Sequence, residues 1–153
     1  MHQSAVLLDF RGATVDAELQ LPLDRLSISF RQPVDDNHLA LERSALIAYV
    51  LAHVHPVAAG NRPFKVACRD LDIESIEQAP YLVVHLVLTP PAHTGPDLFE
   101  LNYDVITHEI VTHVVLVSIR SDIKAKIPPE EPFLIGILRG ARKSVLVDRM
   151  QLL

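Results

Sequence analysis

The chain has 153 residues, enough for one domain with a sizeable hydrophobic core. Lysine and arginine total 14 against 19 acidic residues, and this net charge of −5, without any basic run or basic-aromatic patch, argues against a nucleic-acid partner. The single cysteine, Cys68, excludes an intramolecular disulfide and a cysteine-rich zinc site.

The chain is expected to begin with two strands. Residues 4–10 and 14–21 are rich in apolar residues, and the second run alternates cleanly between apolar and polar positions, as a half-buried strand does. The intervening Arg11-Gly12-Ala13 predicts a short turn. A brief helical turn over residues 23–26 and an extended segment over residues 27–30 are expected to follow.

A single amphipathic helix is predicted over residues 37–53. Asp35, Asp36 and Asn37 are capping candidates, and they place negative charge at the positive end of the helix dipole. Apolar residues recur at helical spacing along it, namely Leu39, Leu46, Ile47, Val50 and Leu51. The next stretch, "HPVAAGNRPFKVAC", predicts two short strands around a Gly60-Asn61 turn.

The remainder of the chain is predicted to be β. The expected strands cover residues 65–76, 81–89, 98–106, 113–120, 133–139 and 144–148. About eight short strands separated by turns, together with one helix, predict a mainly β fold, a two-sheet antiparallel sandwich of the immunoglobulin-like kind. The alternative is an open α+β sheet with the helix packed across it. In either case residues 1–153 are expected to form one domain.

The segment "HEIVTH", from His108 to His113, resembles the zinc-peptidase signature only superficially. That signature needs two histidines four residues apart on a helix, so that both rings face one metal ion. Here they are five apart, which puts them about 140° around a helix from one another. The many β-branched residues nearby favour a strand, where positions five apart face opposite sides. We therefore expect a strand whose two imidazoles diverge.

Other histidines are better candidates for a site. His53 and His55 stand two apart, so on an extended segment both rings point the same way and form half of a metal site. They are the candidate ligands for nickel or zinc, with a distant third ligand, and no other cofactor is expected. A hydrolase site assembled from distant residues, for example His85 with Asp104, is a further alternative.

Local signatures of catalysis are missing from the sequence. There is no Gly-x-Ser-x-Gly elbow and no glycine-rich phosphate loop, and nothing marks Cys68 as an activated thiol. The sequence therefore predicts a binding or interaction module and not an enzyme.

Four phrases of the sequence resemble the extracytoplasmic N-terminal region of bacterial HupE/UreJ-type membrane proteins. The phrases occur in the same order as in that family, and they are "VDAELQLPLDRLSISF", "YVLAHVHPVAAGNRPFKV", "YLVVHLVLTPP" and "LNYDVITHEIVTHVVLVSIRSD". Members of the family have a signal peptide, a domain of this size and a bundle of membrane helices. No signal peptide and no apolar stretch of ~20 residues is present here, so the resemblance implies an excised ectodomain that starts at an added methionine.

The resemblance also implies a role and a place. It predicts a non-catalytic binding domain in the periplasm or at the cell surface, tethered to the membrane in the full-length protein. The expected partner is the membrane-embedded part of the same full-length chain, with another protein or a metal ion as alternatives. The family name associates it with nickel uptake, but the histidine-aspartate motif of nickel permeases does not match His108 to His113. No site residue is therefore carried over.

Overall fold

Ten strands and two α-helices make up the part of the chain that the computed structural model describes, residues 2–128 and 131–152. Met1, Leu153 and residues 129–130, which the single-domain prediction includes, lie outside the described residues. The strands, in chain order, are β1 (Ser4–Phe10), β2 (Val15–Pro22), β3 (Val54–Ala58), β4 (Arg62–Pro63), β5 (Lys65–Ile76), β6 (Ala79–Thr89), β7 (Leu98–Tyr103), β8 (Val115–Asp122), β9 (Phe133–Leu138) and β10 (Ser144–Asp148).

The strands form two sheets, which confirms the predicted mainly β sandwich. One sheet has six strands in the order β5-β6-β2-β1-β8-β9, and the other has four in the order β10-β7-β3-β4. Neighbouring strands are antiparallel except β1 and β8, which run parallel. β8 follows β1 by about a hundred residues, far more than the roughly dozen residues that a connection between parallel strands needs.

Alternation along each strand places one face in a shared core. On β2, Val15, Ala17, Leu19 and Leu21 are buried, and the residues between them are only partly buried. Apolar side chains from both sheets and both helices join one buried cluster. Gly136 on β9 lies directly against Val145 on β10, where a Cβ would meet the valine side chain at 2.6 Å, so the two sheets come close at this corner.

Two helices lie beside the sheets, α1 (Leu23–Phe30) and α2 (Leu39–Leu51). The prediction of an extended segment over residues 27–30 is wrong, because α1 continues through them. Leu23, Leu26 and Ser29, each three residues apart, turn one helix face to the core, and Arg31 ends the helix in a left-handed conformation. No helix of the described residues is long and apolar enough to cross a membrane.

The segment between β7 and β8 differs from the predicted strands. β7 ends at Tyr103 and β8 begins at Val115, so residues 104–114, including "HEIVTH", form turns. The N–H of His108 donates to Asp104 O at 3.0 Å and that of Ile110 to Ile106 O at 2.9 Å, which closes single helical turns. The β-branched residues suit burial rather than extension here, since Val105 and Ile106 are fully buried.

Candidate functional site

A cluster of four side chains forms where α2 ends against the turn segment after β7. Tyr49 lies on α2 and His53 just after it, while Asp104 and His108 belong to the turn segment, and we call these four residues the histidine cluster. His53 Nδ1 lies 2.8 Å from Asp104 Oδ1. The rings of His53 and His108 stack with their centroids 4.1 Å apart and their planes 8° from parallel. All four side chains are partly exposed or half-buried.

Hydrogen bonds assign the role of each ring nitrogen in the histidine cluster. A carboxylate only accepts, so His53 Nδ1 donates to Asp104, and Nε2 is the nitrogen that can take a proton or a metal ion. The Tyr49 hydroxyl donates to Ser29 Oγ at 2.9 Å. His108 Nε2, at 2.9 Å from the same hydroxyl, therefore donates to the Tyr49 oxygen, and Nδ1 remains as its acceptor.

The surroundings of His108 and Tyr49 favour the neutral forms of both side chains. Burial lowers the pKa of His108 below its ordinary value, and the adjacent His53 ring lowers it further. Burial likewise raises the pKa of the Tyr49 hydroxyl, which stays protonated. His108 is therefore a neutral partner of the stack near neutral pH.

Backbone strain accompanies the histidine cluster. Ile106 has a φ of 67°, a left-handed conformation that a β-branched residue rarely adopts. Its N–H donates to the Tyr49 hydroxyl at 3.1 Å, and its side chain is fully buried, so the fold holds it in place. The buried hydroxyls of Tyr103 and Thr107 have no hydrogen-bond partner among the described residues. One left-handed β-branched residue and two unsatisfied buried hydroxyls thus lie within residues 103–107.

A carboxylate that orients one imidazole is a feature of both acid–base and metal sites. The stacked rings cannot both bind one ion, because their lone pairs lie in parallel planes displaced by the stack. Among residues 2–128 and 131–152, no group of three or more histidine, cysteine, aspartate or glutamate side chains is arranged to hold a metal.

His55, the second predicted ligand, lies apart from this stack. It is exposed on β3, and its Nε2 donates to Ala52 O at 2.7 Å, so Nδ1 is its available nitrogen. The structure thus gives both His53 and His55 one engaged and one available nitrogen. Metal binding by this pair stays a prediction.

His85 belongs to a row of charges on the outer face of the six-stranded sheet, which we call the charge row (Asp9, Glu18, Asp70, His85 and Arg120). Its Nδ1 contacts Asp70 and its Nε2 lies 3.2 Å from Glu18, so both nitrogens face carboxylates. Partial burial alone would lower the pKa of His85, but these two hydrogen bonds outweigh it and raise the pKa. His85 is therefore a bridging cation between strands.

The other end of the charge row is more deeply buried. Arg120 donates through Nη2 to Asp9 Oδ2 at 2.6 Å and through Nη1 to Glu18 Oε1 at 3.4 Å. Ser121 Oγ donates to Asp9 Oδ1 at 2.6 Å. Burial would raise the pKa of Asp9, but the bonds from Arg120 and Ser121 hold it below its usual value. The charge row thus ties β1, β2 and β8 together.

The proposed pairing of His85 with Asp104 is not formed. Asp104 binds His53 beside the four-stranded sheet, whereas His85 binds two carboxylates on the six-stranded sheet. His113 is also separate, since it is buried against Ser4 Oγ at 2.7 Å, while His108 contacts Tyr49. The two histidines of "HEIVTH" therefore diverge as expected, although the backbone between them forms turns and not a strand.

A shallow apolar depression of about 310 Å³ lies on the outer face of the four-stranded sheet. Val57, Leu98 and Leu146 line it, and the carboxylate of Glu100 is its one charged side chain. Glu100 stands between Val57 of β3 and Leu146 of β10 in the register of the sheet. We call this surface the Leu146 depression. It suits a ligand that carries an apolar group next to a cation.

Comparison with protein-family models and with curated protein sequences gives no match for this chain. The resemblance to HupE/UreJ-type proteins therefore stays a prediction.

Sequence reasoning singled out His53 but missed its surroundings. Tyr49 was part of the predicted helix, and its spacing of four residues to His53 would place both on one helix face. Nothing in the sequence near His108 indicates that it contacts Tyr49 and His53. That contact depends on the turns at residues 104–110, which the prediction of a strand excluded.

Proposed function

We propose that this chain is a non-catalytic, extracytoplasmic binding domain of a HupE/UreJ-type membrane protein, in the periplasm or at the cell surface. The observation that carries the binding role is the Leu146 depression, an outward-facing apolar surface around one carboxylate. Leu146 is 58% exposed and Leu98 is 53% exposed, although the outward positions of a solvated sheet are normally polar. The family assignment is supported by the four sequence phrases.

The occupant that fits the Leu146 depression is a segment with an apolar side chain and a lysine or arginine. Glu100 would pair with the cation while Leu98 and Leu146 cover the apolar group. Among the described residues Glu100 forms no ion pair, so its carboxylate is available. The membrane-embedded part of the same full-length chain is the proposed source of this segment.

Two experiments test the proposal in order. The full reading frame is expected to encode a signal peptide before this domain and membrane helices after it, and a frame without them would remove the family assignment. In the full-length protein, a photo-crosslinking amino acid at Leu146 is expected to capture the membrane part. The same probe at Leu41, which is 82% exposed on α2, is the matched control and should capture nothing. Equal labelling from both positions would reject the Leu146 depression as the binding surface.

A second candidate function is nickel or zinc binding by His53 and His55. The observation that favours this function is the His53–Asp104 hydrogen bond. A metal-bound histidine usually donates its other ring N–H to an acceptor such as a carboxylate. Calorimetric titration of nickel and zinc into the protein and into His53→Ala/His55→Ala decides it. Affinity weaker than about 1 mM, or an unchanged double variant, would eliminate this function.

A further inference from the structure

The turn between β9 and β10 holds two arginines side by side. Arg139 and Arg142 exchange two backbone hydrogen bonds, at 3.2 Å and 3.1 Å, around the two-residue loop Gly140-Ala141. Gly140 has a φ of 61°, which the first position of such a tight hairpin loop requires. Residues paired in this way project their side chains from the same face. Two guanidinium groups therefore project together, although like charges directly opposite one another normally destabilise a pair of strands.

No acidic side chain of the described residues neutralises these two arginines. Both are exposed, and neither forms an ion pair with a residue that the structure describes. The acids of the adjacent turn segment are engaged elsewhere, since Asp104 binds His53 and Glu109 accepts from Arg31. Glu131 lies beyond the other end of β9, more than about 20 Å away along the strand. The turn therefore presents a concentrated positive charge to the surroundings.

Apolar side chains continue the face from which the two arginines project. Ile137 stands two residues before Arg139 and therefore points to the same side, the outer face of the six-stranded sheet. Leu134 is on this face too, because the bulge in β9 places it and Ile137 opposite residues two apart on β8. Ile137 is 43% exposed and Leu134 is 48% exposed. Leu116 of β8 lies opposite Ile137, and Ala5 of β1 lies opposite Leu116. We call this surface the β9 patch (Ala5, Leu116, Leu134, Ile137, Arg139 and Arg142).

We propose that the β9 patch docks the domain on the surface of a lipid bilayer that contains anionic phospholipids. Arg139 and Arg142 bind lipid phosphates, for which the planar fork of the guanidinium group is suited. Leu134 and Ile137 enter the interface beside them and bury their exposed apolar surface there. An acidic peptide would pair with the two cations but leave this apolar surface uncovered. The bilayer accounts for the exposed charges and the exposed apolar side chains together.

The net charge of −5 does not oppose this docking. Salt screens exposed charges beyond about 8 Å at physiological ionic strength, so the charges next to the lipid surface decide the interaction. The acids nearest to the β9 patch on the same face, Asp9 and Glu18, both accept from Arg120. Their negative charge is therefore already balanced within the charge row. The docking goes beyond the proposed function, because it uses the other sheet and needs no membrane anchor.

Co-sedimentation of the purified chain with lipid vesicles tests this inference. The wild type should bind phosphatidylcholine vesicles that contain about one third phosphatidylglycerol, should not bind pure phosphatidylcholine vesicles, and should bind less as salt rises from about 0.05 to 0.5 M. Arg139→Gln/Arg142→Gln should weaken binding about 25-fold, since each cation near an anionic surface contributes about fivefold. Ile137→Ser should weaken it about fivefold through lost apolar burial. The matched control Arg62→Gln/Lys65→Gln removes the same charge between β4 and β5, at the opposite side of the two sheets, and should bind like wild type.

Three results would overturn the inference. They are a wild type that does not distinguish the two kinds of vesicle, a control variant that loses as much binding as Arg139→Gln/Arg142→Gln, and binding of a polyglutamate peptide without binding to vesicles. Circular dichroism shows whether each variant is folded, and Arg142→Gln alone, with an expected loss of about fivefold, replaces the double variant if that one is not. The vesicle assay uses the purified chain without membrane helices. Its outcome is therefore independent of the reading frame and of the crosslinking from Leu146 that test the proposed function.

Discussion

Lowering the pH from 7 to 5 should destabilise the domain chiefly through the buried imidazole of His113. It is 1% exposed and hydrogen-bonds Ser4 Oγ, which is fully buried at the start of β1. Burial, with Arg25 nearby, lowers the pKa of His113 to about 4. In the unfolded chain the same group titrates near 6.5. Between these two pKa values the unfolded chain binds a proton at His113 that the folded protein does not bind.

The size of this loss of stability follows from the difference in the pKa of His113 between the folded and unfolded states. His113 has its pKa lowered on folding, so its neutral form is favoured in the native state, and stability falls as the pH falls below about 6.5. Each unit of difference corresponds to about 1.36 kcal/mol, so the loss from His113 between pH 7 and pH 5 is about 2 kcal/mol. Aspartates and glutamates with lowered pKa values, such as Asp9, lose their contributions only at more acidic pH.

Urea unfolding at pH 7, 6 and 5 measures how steeply the free energy of unfolding falls with pH. His113→Gln keeps a polar group near the position of Nε2 but cannot be protonated. It should start from a lower free energy of unfolding at pH 7 and lack the steep decrease toward pH 5. Parallel pH profiles for the wild type and His113→Gln would refute the assignment of this slope to His113, whatever their absolute stabilities.

Five further substitutions test the contacts described above, each by urea unfolding at pH 7. Arg120→Met leaves the buried carboxylate of Asp9 without its cation and should cost about 2–3 kcal/mol, whereas Arg11→Met at an exposed pair should cost less than about 0.5 kcal/mol. Tyr49→Phe removes the acceptor of the Ile106 N–H and should cost about 1–2 kcal/mol, and an unchanged variant would show that this bond contributes nothing. Leu46→Asp should prevent folding because Leu46 is fully buried. Ile47→Asp, at a partly buried position, should lower the free energy of unfolding by less, and the reverse order would contradict the orientation of α2.

The strands were the part of the fold that the sequence could predict. Residues 4–10, 65–76 and 144–148 match β1, β5 and β10 in full, because turn residues bound each run. The pairing of β1 with β8 could not be predicted, since nothing local in either strand encodes a partner a hundred residues away. The short β4 (Arg62–Pro63) was included only as part of the hairpin around Gly60.

The two segments that were wrongly predicted to be extended differ from the prediction for the same physical reason. Residues 27–30 and residues 104–114 are both rich in residues with good strand propensity, and both are pulled out of extended structure by burial. In α1 the spacing of Leu23, Leu26 and Ser29 meets the core only if the chain is helical. In the turn segment, burying Val105 and Ile106 together requires the left-handed conformation of Ile106. Strand propensity reflects an average over many proteins, whereas tertiary packing determines the conformation of these two segments.

His85, His108 and His113 each tie two elements together, and their contributions to stability respond to pH in opposite directions. His85 has its pKa raised on folding, so its contribution is present below about 6.5 and is lost as the pH rises through the raised value. His108 and His113 have their pKa values lowered, so their contributions are lost on acidification. These contributions are lost on opposite sides of about pH 6.5, so together they favour a maximum in the free energy of unfolding near that pH.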